Sequence, residues 1–84
     1  MKKQKLLLKI INNPRHVSFA ELTLLMETYG FRLVRTKGSH HIYSHPNIPE
    51  LINLQNVQGR AKPYQIRQFL KLVERYNLTF GDEK

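Results

Sequence analysis

The chain has 84 residues, which allows one small domain with a single modest core and leaves no room for a second. It contains no cysteine, so neither disulfides nor a thiolate metal site can brace it, and a reducing cytoplasm suits that usage. Fourteen basic residues against six acidic ones give a formal charge of +8, which makes nucleic acid, or an acidic protein that mimics it, the leading partner class; a general solubilising charge is the plain alternative.

Lys3 to Asn12 carries leucines and isoleucines at helical spacing and is stopped by Asn12-Asn13-Pro14. Its lysines beside Leu6, Leu7, Leu8, Ile10 and Ile11 would suit a membrane surface, but core packing with solvated lysines explains the pattern better. No apolar run approaches the roughly 20 residues needed to cross a bilayer, and Met1 to Ile11 lacks the features of a secretory leader, so the expectation is a soluble, cytoplasmic protein with no membrane partner. Ser18-Phe19-Ala20-Glu21 matches a capping box and predicts a second helix, along which Phe19, Leu22, Leu25, Met26 and Tyr29 form a core stripe before Gly30 ends it.

Phe31 to Thr36 reads as a strand, Lys37-Gly38-Ser39 as a hairpin turn, and His40 to His45 as the returning strand. Pro46 to Glu50 is dense in turn formers, so a third strand is expected over Leu51 to Gln55. Asn56 to Lys62 is a polar loop, and Pro63 opens a last helix running to about Asn77. That helix buries Ile66, Phe69, Leu70 and Val73, with Arg67, Lys71 and Arg75 at four-residue steps on another face, where they meet phosphates or simply water. Gly81 to Lys84 is expected to be a loose tail. The fold class is α+β: helix, three-stranded antiparallel meander, helix, with an extra helix in front, and no internal repeat or linker.

The segment Arg35 to Tyr43 holds the chemistry. Gly38 lets the backbone turn through positive φ and lets a phosphate come close, Arg35 and Lys37 would neutralise that phosphate, and His40 can move a proton. RNA carries its own nucleophile in the ribose 2′-hydroxyl, so cutting it needs a base, phosphate donors and an acid for the leaving oxygen. Imidazole, with an unperturbed pKa of about 6.5, is suited to that exchange. The six acidic residues are scattered, with no pair spaced for two-metal hydrolysis, and strand alternation sends His40 to one face and His41 with His45 to the other, against a shared metal. Alternation also exposes His41 more readily than His40, because Ile42 shares the His40 face; a reachable His40 then requires that the strand start at the turn or that a bulge re-aim it. A turn-flanking histidine bonded to backbone is the plain reading of His40. Tyr43 and Tyr64 could stack unpaired bases or could simply pack with wet hydroxyls.

Lys37-Gly38-Ser39-His40-His41-Ile42-Tyr43, followed by Ser44-His45-Pro46 and preceded by Tyr29-Gly30-Phe31-Arg32-Leu33-Val34-Arg35, closely resembles the motif of HicA toxins. The resemblance spans about Phe19 to Leu78. It implies a double-stranded-RNA-binding-domain-like fold and a metal-independent mRNA interferase with one catalytic histidine, here His40, no cofactor, and an inhibitory HicB-like antitoxin as partner. Arg35, Lys37, Gly38, Ser39, His41, Tyr43, Lys62 and Arg67 are then the candidate RNA contacts. Many relatives carry a proline and a histidine in and just after the third strand, where this chain has Gln55-Asn56-Val57, and a glycine near Tyr64, so no role is transferred to those positions. The expected organisation is a single HicA-like domain over 1–84, with 1–17 a helical extension, 18–78 the core and 79–84 the tail. A noncatalytic RNA-binding module is the alternative.

Overall fold

Ser18 and Glu21 begin the fold as a reciprocal pair. The Ser18 hydroxyl accepts from the Glu21 amide at 3.0 Å, the Glu21 carboxylate accepts from the Ser18 amide at 3.0 Å, and the helix α2 (Phe19–Thr28) starts there. Glu21 also receives the Lys9 ammonium from the preceding helix α1 (Lys3–Asn12), so one carboxylate caps α2 and ties α1 to it. The Lys9 hydrogen bond, followed by that of the Ser18 amide, holds the Glu21 carboxyl below its ordinary pKa.

The computed structural model describes residues 3–79, and the tail Gly81-Asp82-Glu83-Lys84 lies outside them. Within that span α1 is part of the core: Leu6 and Ile10 are buried while Lys5 and Lys9 are exposed. A short 3-10 turn, Pro14–His16, follows it and was not anticipated from the sequence. No helix among the described residues is long and apolar enough to cross a membrane.

Gly30, at φ +99°, releases the chain from α2 into a three-stranded antiparallel sheet ordered β1 (Arg32–Lys37), β2 (His40–His45), β3 (Ile48–Gln55). β1 begins a residue later than expected, because Phe31 is drawn into the core against Phe69 and His45. β3 begins three residues earlier, at Ile48, whose side chain is buried opposite His45. Pro49 is tolerated there because β3 is an edge strand and its register is irregular at this end. The helix α3 (Pro63–Arg75) stops two residues short of the expected Asn77, which has a left-handed φ of 52°.

The helices cover one face of the sheet. Leu22, Leu25 and Met26 from α2 and Ile66 and Phe69 from α3 form a single buried cluster with Tyr43, Ile52 and Leu54. Tyr29 and Phe31 meet the Phe69 ring edge-on at 5.6 and 5.7 Å. On α3 the fully buried positions are Gln65, Ile66, Phe69 and Leu72, whereas the predicted Leu70 and Val73 are only half-buried against the cluster. The result is an α+β fold with the helix, sheet, helix order of double-stranded-RNA-binding-domain-like proteins, preceded by one further helix.

Candidate functional site

Residues paired across antiparallel strands share a face, so the register identifies what each face carries. Leu33 pairs with Tyr43 and Tyr43 with Ile52; Thr36 pairs with His41 and His41 with Leu54. These belong to the helix-covered side. Arg32 pairs with Ser44, Arg35 with Ile42, and Lys37 with His40, which in turn pairs with Gln55 while Ile42 pairs with Asn53. These belong to the open side, where His40, Asn53 and the three cations are all exposed.

A bulge creates this grouping. Between Leu33 and Arg35 the β1 register slips by one residue at Val34. Regular alternation would separate Arg32 from Arg35; the extra residue returns both to the open face with Lys37. Among the described residues, none of these three cations is ion-paired.

His40 stands at the first position of β2, directly after the turn Gly38-Ser39. Gly38 has φ +59°, the left-handed first loop residue of a type II′ hairpin, and a Cβ there would meet nothing within 4 Å. The glycine is therefore required by the backbone and leaves open space above the turn. His40 Nδ1 lies 3.1 Å from Asn53 Oδ1. Because the amide oxygen only accepts, Nδ1 is the donor in this contact, and no hydrogen bond engages Nε2 among the described residues. Asn53 is held from behind by Gln65, 3 % exposed, which donates to the Asn53 carbonyl at 3.2 Å and accepts from the Gln55 amide at 3.2 Å, occupying the β3 edge as a further strand would. Neither Asn53 nor Gln65 was singled out from the sequence. Asn53 reads only as a polar position in an alternating strand until the register brings it to His40, and Gln65 reads as one more polar residue on α3.

The other two histidines of β2 face the helices, which reverses the expectation that His41 would be the more exposed. His41 is half-buried, its ring 4.8 Å from that of Phe19, with Nδ1 donating to the Ser39 carbonyl at 3.1 Å. His45 is 8 % exposed, with Nε2 donating to the Tyr29 carbonyl at 3.0 Å and Nδ1 accepting from the Asn47 amide at 3.1 Å, so both ring nitrogens are committed to backbone. Tyr43, a candidate RNA contact above, is corrected: at 3 % exposed it lies beneath the helices, and burial pushes its hydroxyl pKa up. Lys62 and Arg67 lie at and beyond the start of α3, with Lys62 Nζ 5.9 Å from the Tyr64 ring centroid. No three His, Asp or Glu residues gather as a metal-binding group among the described residues.

The geometry thus defines a small α+β domain whose open sheet face is basic and, among the described residues, carries one histidine, His40, with a ring nitrogen that no hydrogen bond engages. A family model described as the HicA toxin of bacterial toxin-antitoxin systems matches residues 19–74. The chain belongs to the HicA toxin family and is the toxin of a toxin-antitoxin system, which implies a cognate antitoxin as its partner. The match begins at α2, so α1 lies ahead of the family domain although it contributes Leu6 and Ile10 to the same core. No curated protein and no solved structure gives a significant match.

Proposed function

We propose that this toxin is a metal-independent endoribonuclease that cleaves mRNA in the cytoplasm, with His40 as its acid-base residue, and that a HicB-like antitoxin neutralises it. The observation that carries the proposal is the His40 ring: exposed on the open face, donating through Nδ1 to Asn53, with no hydrogen bond to Nε2 among the described residues, at a strand position paired with Lys37. In the reaction, Nε2 takes the proton of a ribose 2′-hydroxyl and the oxygen attacks the adjacent phosphorus. The phosphorus–5′-oxygen bond breaks, leaving a 2′,3′-cyclic phosphate and a 5′-hydroxyl, and the leaving oxygen gains a proton. Arg35 and Lys37 stabilise the charge that gathers on the phosphoryl oxygens. Gly38 and Ser39 supply the turn over which the phosphate approaches, His41 braces that turn through the Ser39 carbonyl, and Lys62 and Arg67 extend the RNA track.

The test is cleavage of a single-stranded RNA by the purified toxin in excess chelator, beside the same oligonucleotide with a single 2′-deoxy substitution at the cut site. Cleavage of the first alone, with cyclic-phosphate ends, is the expected result. Salt-sensitive binding with no cleavage of either would identify a noncatalytic RNA-binding module instead.

A further inference from the structure

The flank of α3 that meets β3 carries a second feature that the His40 face does not account for. A cleft of about 430 Å³ opens there, its lining including Glu50, Tyr64, Arg67, Lys71 and Arg75. Its charges are not balanced. Glu50 is committed to Arg75 at 3.1 Å and to the Tyr76 hydroxyl at 2.7 Å, and these contacts hold its carboxyl below the ordinary pKa, the tyrosine bond being the larger cause. Arg67 and Lys71 have no acidic partner among the described residues. They stand four residues apart on α3 and are neighbours on its surface, with Tyr64 three residues before Arg67 on the same side. Tyr64 is 53 % exposed.

An exposed aromatic ring beside unpaired cations is how proteins hold single-stranded nucleic acid: the ring takes a base face and the cations take the backbone. An acidic protein segment would use the cations and leave the ring idle, whereas a nucleotide uses both. The cleft also adjoins the His40 site. Tyr64 precedes Gln65, whose amide nitrogen is 3.5 Å from the Tyr64 hydroxyl and 3.2 Å from the Asn53 carbonyl, and Asn53 holds His40. A strand lying on the open face reaches the cleft by crossing the β3 edge. We infer that the α3 cleft is a nucleotide subsite for unpaired RNA, with a base stacked on Tyr64 and a phosphate held by Arg67 and Lys71. The inference rests on the RNA reading above and adds that the substrate is single-stranded on this side of the cut, because the bases of a duplex are already stacked.

The experiment is fluorescence anisotropy of the full chain with a labelled 2′-O-methyl oligoribonucleotide of no self-complementarity, which cannot be cut through its blocked 2′ oxygen. Tyr64→Ala is expected to weaken binding about tenfold and Tyr64→Phe to retain it, since stacking needs the ring and not the hydroxyl. Arg67→Ala and Lys71→Ala are each expected to lower the slope of log affinity against log salt by about 1, and Lys5→Ala, on α1, to leave affinity within about twofold. The same oligonucleotide annealed to its complement should bind independently of Tyr64. Binding by Tyr64→Ala within twofold of wild type overturns the subsite, as does an equal loss with the duplex. Loss of antitoxin affinity in the Arg67 and Lys71 variants with RNA binding intact also overturns it and marks a protein interface. Tyr64-dependent binding by a wild-type protein that cuts no RNA rejects the nuclease reading and leaves the subsite standing.

Discussion

The two faces of the sheet use similar residues to opposite ends. On the helix-covered face, His45 gives both ring nitrogens to backbone partners and His41 lies against Phe19. On the open face, one strand position away from His41, His40 keeps one ring nitrogen unengaged, on the same face as cations that have no acidic partner among the described residues. Satisfied polar groups fix a fold, and unsatisfied ones are available to a ligand. Residue type alone does not assign these histidines a role; the face does. Substitutions beneath the helices should therefore cost stability, and substitutions on the open face should cost function.

The largest stability loss is expected at His45. His45→Ala removes a buried ring that packs 5.0 Å from Phe31 and leaves the Tyr29 carbonyl and Asn47 amide without their side-chain partner. A loss of about 3 kcal/mol in urea unfolding is expected. Gly30→Ala attacks the same contact from the other side: it forces a side chain onto φ +99° and brings its Cβ to 3.1 Å from His45 Nε2, for about 2 kcal/mol. If either variant unfolds like wild type, the helix-covered face is not the rigid one.

A smaller effect, near 1 kcal/mol, is expected for Glu21→Gln, which weakens the capping box and the tie to Lys9. The sign of its pH dependence follows from the depressed folded-state pKa. The carboxylate contributes stability above its unfolded value of about 4.3 and loses it as the pH falls through the lower folded value, so wild type should lose more stability than Glu21→Gln between neutral pH and that acid range. Urea midpoints of both proteins at neutral and acid pH check it. The smallest effect belongs to the open face: Arg32→Ala should change stability by no more than about 0.5 kcal/mol while weakening RNA binding, read by unfolding and anisotropy on one preparation.

Much of the architecture was legible because local chemistry was unambiguous. The Ser18 to Glu21 box, Gly30 after α2, the Gly38 turn and Pro63 at the head of α3 each demand one backbone conformation. What the sequence left hidden was register. Alternation suggested an exposed His41, but it could not say that His45, with both nitrogens satisfied by backbone, would accept the core and carry its whole face inward. The Val34 bulge that gathers Arg32 with Arg35, and the pairing that brings Asn53 to His40, depend on contacts between strands and leave no mark on either strand alone. Pro46 to Glu50 misled for a related reason, since proline was read as a break where an edge strand can hold it.

The role of His40 is tested by pairing RNA cleavage with urea unfolding for His40→Ala and His41→Ala. His40→Ala is expected to unfold within about 0.5 kcal/mol of wild type yet to cleave about 10²- to 10⁴-fold more slowly, and His41→Ala to keep more activity than His40→Ala. A folded His40→Ala protein that cuts RNA at the wild-type rate would contradict it.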